Sequence, residues 1–357
     1  MESDLRFLEI GVEGLFCKGF PEQTDAFSTA TRHYSHFGRP PLSPAALWKI
    51  SQRLRHQEYD LIILHPPQYA SWHPRSFLNM VKYWPLSYPL GLFANFAFNF
   101  MRCVRHTPMV AVDTLDSFGI GRHNFFCFDR CQAYYKRELP ADNWRVFFSS
   151  GHRNFPAGTF RRKRRYMRYI EKLRPIGLGI SDFPLELQQK LARVPKTTDV
   201  FYAGTPNSTV RQKGLEQLLA LRDQGVRVDI PETRLSREEF LERCAGAWLV
   251  WSPEGFGWEC FRHYESALAG TVPVINYPTI ERYQPFEDGV HCFLYPIEGD
   301  GLQKTIHHAL KDKQRLMQMA QAARDKAAQY HTYRGICRSI LADVFPQRAE
   351  RAVAAAA

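Results

Sequence analysis

Residues 252 to 275, SPEGFGWECFRHYESALAGTVPVI, decide how this chain is read. The run AWLVW just before them is apolar at every position, as a strand buried on both faces requires. Gly255 and Gly257 let the backbone turn sharply and pass close to a bound group. Glu259 to Ala269 then takes on helical periodicity, and VPVI reads as the next strand. The start of such a helix turns unpaired backbone amides and the positive end of its dipole toward whatever lies beyond the strand, so the unit suits a ligand that carries phosphate.

On the expected helix Glu259, Arg262 and Glu265 recur every three residues, within an arc of about 120°. Arg262 and Glu265 are therefore neighbours. Phe261, Tyr264 and Leu268 form the other stripe, expected to pack on the sheet and leave Arg262 facing a ligand. A guanidinium is a forked cation that matches phosphate oxygens, and Glu265 is placed to accept hydrogen bonds from ribose hydroxyls. The same spacing also fits a surface ion pair between Arg262 and Glu265. Glu259, in the first turn, favours the helix dipole without touching a ligand.

Working outward, the second half of the chain alternates clearly. TDVFYAG reads as strand, Val210 to Asp223 as helix, VRVDI as strand, and Ser236 to Ala245 as helix with Ser236 and Glu239 spaced as a capping box. AWLVW, the helix of the opening stretch, TVPVINY, HCFLYP and two C-terminal helices continue the series. Right-handed crossovers of this kind build a parallel sheet, so a Rossmann-like domain is expected from about residue 198. Its first strand runs into the loop AGTPNSTVRQKG, where Gly204, Thr205 and Ser208 are small and can donate hydrogen bonds to an anion.

The first half is less regular but also reads as α/β. LRFLEIG, DLIILHP, PMVAVDT and WRVFFSS are candidate strands, and Ser43 to Gln57 is a helix with Ser43 at the cap and Pro44 at its first position. Leu173 to Pro195 loses periodicity among proline and glycine and is the expected interdomain linker. In open α/β sheets ligands lie past the carboxyl ends of the strands, which singles out His65, Asp113 and Asp116. Asp113 also fits a turn-capping role.

Lysine and arginine outnumber the acids 47 to 36, a net charge of +11 in 357 residues, which favours a negatively charged partner. The run RRKRR, Arg161, Arg162, Lys163, Arg164 and Arg165, is followed by Tyr166, Arg168 and Tyr169 and suits peripheral contact with an anionic membrane. The start MESDLRFLEIG has neither a basic region followed by an apolar one nor a cleavage site, so a cytoplasmic location is expected. WPLSYPLGLFANFAFNFM, residues 84–101, comes nearest to a membrane span, but its two prolines and polar residues favour a buried aromatic helix or an acceptor-side surface. The eight cysteines are scattered, which argues for reduced thiols. His123, Cys127 and Cys131 share a helical spacing but lack a fourth ligand, so no metal is expected.

The opening stretch resembles the donor-nucleotide motif of glycosyltransferases built from two facing Rossmann-like domains, the GT-B architecture, and specifically the exostosin-like and spore-coat-protein-like groups. Arg262, Glu265, Gly270 and Pro273 carry the match, while Glu254 is spaced differently from the corresponding acid of other groups and is not carried over. The resemblance implies an α/β fold of two Rossmann-like domains facing a cleft. It places an acceptor domain at 1–175, a linker at 176–197, a donor nucleotide-sugar domain at 198–330, and a returning C-terminal helix and tail at 331–357. It implies a glycosyltransferase that moves a sugar from a nucleotide-sugar donor to a hydroxyl on a sugar, lipid-linked or protein acceptor, with no cofactor, no metal and no nucleic-acid partner.

On this reading Gly204, Thr205, Arg211, Lys213, Gly257, Arg262 and Glu265 bind the donor, Arg211 and Lys213 at its diphosphate. Asp113 and His65 are the candidates for a catalytic base, because an alcohol needs one to become a good nucleophile. Two other classes stay open: a basic membrane- or nucleic-acid-binding protein on a Rossmann-like scaffold, and a sugar-nucleotide epimerase or hydrolase.

Overall fold

Short apolar runs separated by connections long enough to hold a helix pair as parallel strands, because a parallel neighbour can be reached only by a crossover. The computed structural model describes residues 4–29, 39–40, 42–67, 98–121, 124–147 and 161–347, and of residues 161–166 the backbone alone. The chain divides into unit 1, residues 1–176 and 337–357, and unit 2, residues 177–336.

Unit 1 contains β1 (Phe7–Gly11), α1 (Phe16–Gly19), β2 (Thr24–Ser28), α2 (Pro44–Arg55), β3 (Leu61–Leu64), β4 (Met109–Asp113), α3 (Phe126–Arg130), β5 (Ala133–Lys136) and β6 (Leu173–Pro175). The strands form one parallel sheet in the order β2-β1-β3-β4-β5-β6. From β1 the chain steps outward to β2 and then returns to the other side of β1, so the direction of winding reverses between β1 and β3. α2 starts as its sequence requires: Ser43 Oγ accepts from the Ala46 amide, and Pro44 opens the first turn.

One expectation changes here. Of WRVFFSS only residues 144–147 are described, and they do not continue the sheet: Asn143–Phe147 is a 3-10 turn that delivers Val146 and Phe147 to an aromatic core. Phe147 meets Phe125 and Phe128 at ring separations of 6.0 and 5.3 Å, and Phe128 stacks on Tyr134 at 4.9 Å. The three further strands are β2, β5 and β6 instead. Of the 84–101 stretch only residues 98–101 are described, and no helix among the described residues is long and apolar enough to cross a membrane.

Unit 2 holds α4 (Leu185–Ala192), β7 (Thr198–Phe201), α5 (Thr209–Asp223), β8 (Val228–Asp229), α6 (Arg237–Gly246), β9 (Ala247–Trp251), α7 (Phe261–Leu268), β10 (Val272–Asn276), β11 (Phe293–Tyr295), α8 (Gly301–Ala309) and α9 (Lys313–Lys326). A π-helical turn, Ala327–His331, leads into α10 (Tyr333–Val344), which runs across the division between the units. Ser208 caps α5 by accepting from the Arg211 amide, and Ser236 with Glu239 makes a reciprocal capping box on α6. The parallel order is β11-β10-β9-β7-β8, so winding reverses between β7 and β9. The core centres on Trp251, whose indole N–H donates to Tyr295 at 2.9 Å and whose ring meets Tyr202 at 4.4 Å.

The two faces of α7 are not divided as its pattern suggests. Phe261 is exposed, whereas Arg262 and His263 are buried beside Tyr264 and Leu268. A helix of eight residues packed against α6, α9 and the π-helical turn as well as β10 is buried on more than one face, so hydrophobicity alone misplaces its polar residues.

Candidate functional site

A doubly wound sheet leaves a crevice where its winding reverses, because the loops after the two flanking strands run in opposite directions. In unit 2 those loops follow β7 and β9, and the expected donor residues lie in them or on the helices they lead into, α5 and α7. Arg262, on the first turn of α7, is 9% exposed and gives one hydrogen bond, from Nη2 to the Ala203 carbonyl at 2.6 Å. Its guanidinium lies over the Tyr202 ring, 5.1 Å from the centroid. Among the described residues Nε and Nη1 have no hydrogen-bond partner, and neither does the buried Tyr202 hydroxyl.

Gly204 is placed by the same arginine. A Cβ there would lie 2.6 Å from Arg262 Nη2 and 2.9 Å from the Tyr202 hydroxyl, so only glycine lets the loop pass this close. Cys260 supplies no side-chain cap to α7. Glu265, one turn on, is largely buried; its nearest cation is Arg237 at 3.9 Å rather than Arg262. Burial pushes its pKa up, against the opposing pull of Arg237 and Arg262.

Arg211 and Lys213 sit together on α5 yet differ completely. Lys213 is exposed. Arg211 is buried and bonds the Glu254 carbonyl at 2.9 Å, and the Thr205 carbonyl and Asn207 Oδ1 at 3.0 Å each, so it ties the two switch-point loops together. Thr205 is exposed at the tip of its loop, and Gly257 is buried, its carbonyl accepting from the Gly255 amide at 2.9 Å.

The β9 loop is fixed from behind. Asn276 Oδ1 accepts from the Glu254 amide at 2.9 Å, and the Asn276 carbonyl accepts from the Trp258 indole at 3.0 Å. His263 bridges Ser252 Oγ, at 2.7 Å from Nδ1, and the Trp258 carbonyl, at 3.2 Å from Nε2. Since the carbonyl can only accept, Nε2 carries the proton, and burial lowers the His263 pKa to about 3. Glu259 does more than favour the dipole, because its buried carboxylate accepts from the Tyr264 hydroxyl.

In unit 1 the winding reverses between β1 and β3, and His65 follows β3 directly. Its Nε2 lies 2.8 Å from Oε1 of Glu9, a residue of β1 with no exposed surface. Nδ1 of His65 is buried without a hydrogen-bond partner among the described residues. Asp113 ends β4 away from the reversal and is fully engaged: Oδ2 accepts from Tyr134 at 2.9 Å and the buried Lys136 at 3.1 Å, and Oδ1 from the Leu115 amide at 3.1 Å. That last bond is the turn-capping role. Asp116 pairs with Arg137.

The side chains of Arg161, Arg162, Lys163, Arg164 and Arg165 lie outside the described residues, as does His123. Sequence reading does not name Tyr202 and Glu9, the residues that frame Arg262 and His65. Glu9 left one signal, a carboxylate in the otherwise apolar run FLEIG; Tyr202 looks like any core aromatic at a strand end.

No protein-family model matches the chain, and no curated protein matches it. Solved structures do. The chain is similar to the N-terminal domain of trehalose-6-phosphate phosphatase from Candida albicans, with 10% identity and a TM-score of 0.51 over 96% of each chain. It is similar to a glycosyltransferase from Rickettsia africae, with 9% identity and a TM-score of 0.50 over 95% of this chain and 97% of that one. Anabaena HepE in complex with UDP-glucose gives 14% identity and a TM-score of 0.50 over 95% of this chain and 99% of that one. At such identities the likeness is one of fold: two parallel-sheet, Rossmann-like units, the α/β architecture of GT-B proteins.

Proposed function

We propose that the chain is a glycosyltransferase that moves a sugar from a nucleotide-sugar donor, bound by unit 2, to a hydroxyl acceptor bound by unit 1. The observation that carries this reading is Arg262: a guanidinium nine-tenths buried, at the switch point of a doubly wound sheet, with two of its nitrogens unpaired among the described residues. A buried cation without its hydrogen bonds is costly, and a diphosphate supplies both the charge and the paired acceptors it lacks. Gly204 gives the ligand room, Glu265 is placed one turn along α7 for the ribose hydroxyls, and exposed Lys213 adds long-range attraction. HepE, a neighbour by fold, has been solved with UDP-glucose, which favours a uridine nucleotide as the first to try.

Negative charge develops on the diphosphate as the glycosidic bond breaks, and a preorganised cation there lowers the barrier. With Arg262 in that role, transfer proceeds in the presence of EDTA. Thermal melting with UDP, GDP, ADP and their common sugar conjugates tests the reading, since a ligand bound only by the folded state raises the melting temperature. At least one nucleotide is expected to stabilise the wild type and to fail with Arg262→Ala. If none shifts the wild type, the proposal falls.

A further inference from the structure

A second cationic cluster lies in unit 2, at the amino ends of the parallel strands and so at the opposite end of the sheet from Arg262. Lys196 stands two residues ahead of β7, Ala247 opens β9, and Gly270 and Thr271 lead into β10. Lys196 Nζ donates to the Ala247 and Gly270 carbonyls at 2.7 and 2.8 Å and to Thr271 Oγ1 at 3.1 Å. The Thr271 hydroxyl gives its own proton to the Cys244 carbonyl, so all three partners of Lys196 accept and at neutral pH the amine is held as an ammonium. Burial pulls its pKa down to about 8, and the charge of Arg324 acts in the same direction.

Arg324, on α9, packs on Gly270 so closely that a Cβ there would lie 2.4 Å from its Nη2. Its side chain forms no hydrogen bond or ion pair among the described residues, and Nε is buried. Both cations line one cavity of about 130 Å³ together with Trp248, Leu316, Met317 and Ala320, and no carboxylate is among its described lining residues. Lys313 lies over the Trp248 ring at 4.8 Å, but Asp199 meets its charge at 2.8 Å. Asp325 is exposed and takes its hydrogen bond from Gln321. Lys196 has a structural use, since it satisfies carbonyls where β9 begins and α7 ends. Arg324 has none: a guanidinium beside another cation, with no acid between them, is repulsive until an anion joins the two.

We propose that this cavity binds a small organic phosphate monoester, its phosphate on Arg324 beside Lys196 and its apolar part against Trp248, Leu316 and Met317. Two cations without a carboxylate suit a dianion, and a phosphate monoester carries roughly two negative charges at neutral pH with three acceptor oxygens for the arginine fork. The apolar wall suits a short hydrophobic body attached to that phosphate. The site is separate from the crevice that holds Arg262 and does not depend on the transferase reading.

Calorimetric titration of the full chain with phenyl phosphate, inorganic phosphate and benzyl alcohol tests the site. Phenyl phosphate is expected to bind, inorganic phosphate to bind more weakly, and benzyl alcohol to give no heat. Because Arg262 also attracts phosphate, the titration is repeated in Arg262→Ala, which is expected to keep the phenyl phosphate affinity. Arg324→Gln is expected to weaken it by about tenfold or more, the loss of one charge-assisted hydrogen bond. Met317→Glu sets a carboxylate against the ligand at a position 57% exposed, where the change costs the fold little, and is expected to weaken binding by a similar factor. No binding of phenyl phosphate to the wild type, full affinity in both Arg324→Gln and Met317→Glu, or loss confined to Arg262→Ala overturns the site. Inorganic phosphate bound as tightly as phenyl phosphate overturns the organic ester as its ligand.

Discussion

Arg262 lies over the ring of Tyr202, 5.1 Å from its centroid, and the two side chains together carry three buried polar atoms without partners among the described residues. The aromatic face partly compensates the buried cation, and the single bond to the Ala203 carbonyl fixes its direction. On the proposed donor role the fork is thus oriented before a ligand arrives, and little conformational entropy would be lost on binding. Arg262→Lys tests this geometry rather than the charge. A lysine keeps the charge but cannot present two parallel N–H groups, so the nucleotide-induced melting shift is expected to shrink by more than half. A shift equal to that of the wild type would show that charge alone suffices.

Gly204→Ala probes the same contact from the loop. The new methyl would sit 2.6 Å from Arg262 Nη2, inside any tolerable separation, so either the loop or the guanidinium must move. Displacement costs about 1–3 kcal/mol by the usual scale of overpacking. Chemical denaturation should show that loss together with weaker nucleotide binding, measured by calorimetry.

Glu265 gives a prediction with two signs. Burial raises its pKa in the folded chain, so the native state holds a proton that the unfolded state has already released. Stability from this group is therefore greatest at low pH and is lost as pH rises from the ordinary glutamate value through the raised one. At neutral pH Glu265→Gln removes that penalty and is expected to leave the melting temperature equal or higher. On the proposed ribose role the same variant weakens nucleotide binding. A lower melting temperature with unchanged binding would contradict both.

The architecture of unit 2 was readable because local signals agree: the helix expected at Val210–Asp223 is α5, Thr209–Asp223, and the Ser236–Glu239 box caps α6 as spaced. In unit 1 the strands richest in Ile, Leu and Val were readable, while β2 was not, because TDAFS at the sheet edge is half-exposed and polar. β5 was missed because AYYK ends in a lysine, which only the structure shows to be fully buried against Asp113. Among the site residues, Arg262 and Gly204 followed from glycine and helix spacing. Tyr202 and Glu9 depend on pairing between distant strands and loops, which periodicity does not encode.

Acid should unfold the chain in two steps of linkage. His263 and His331 are buried, and burial lowers the pKa of each to about 3 from the ordinary 6.5. The unfolded chain takes up those two protons as pH falls below about 6.5 and the folded chain does not, so stability drops across that window by on the order of a few kcal/mol per histidine. Glu9 acts lower. Its carboxylate, held at about 2 against 4.5, contributes stability above the upper value that is lost on descending to the lower one. Melting temperature measured from pH 7.5 to 4 is expected to fall steadily from about pH 6.5, and His331→Gln to flatten part of the slope. A flat profile down to pH 5 would mean that neither histidine is neutral through burial.

The packing of α5 on the sheet hangs on one absent side chain. Gly214 faces Trp251, and a Cβ there would lie 2.0 Å from Trp251 Cζ2 and 2.4 Å from Cη2. The indole cannot swing aside freely, because its N–H is tied to Tyr295 and its face packs on Tyr202. Helix propensity favours alanine over glycine by about 1 kcal/mol at an ordinary position, so a purely local argument makes Gly214→Ala stabilising. Close packing decides the other way, since core atoms that overlap must move together with their neighbours. The variant is expected to lose about 1–3 kcal/mol in denaturant unfolding. The shift should pass through Trp251 to Tyr202, whose ring lies 4.4 Å from it, and reduce nucleotide binding. Gly214→Ala paired with Trp251→Phe should recover part of the loss, because the smaller ring vacates the contested space. Equal stability of wild type and single variant would show that α5 can slide on its sheet, and the coupling of helix packing to Arg262 would fail with it.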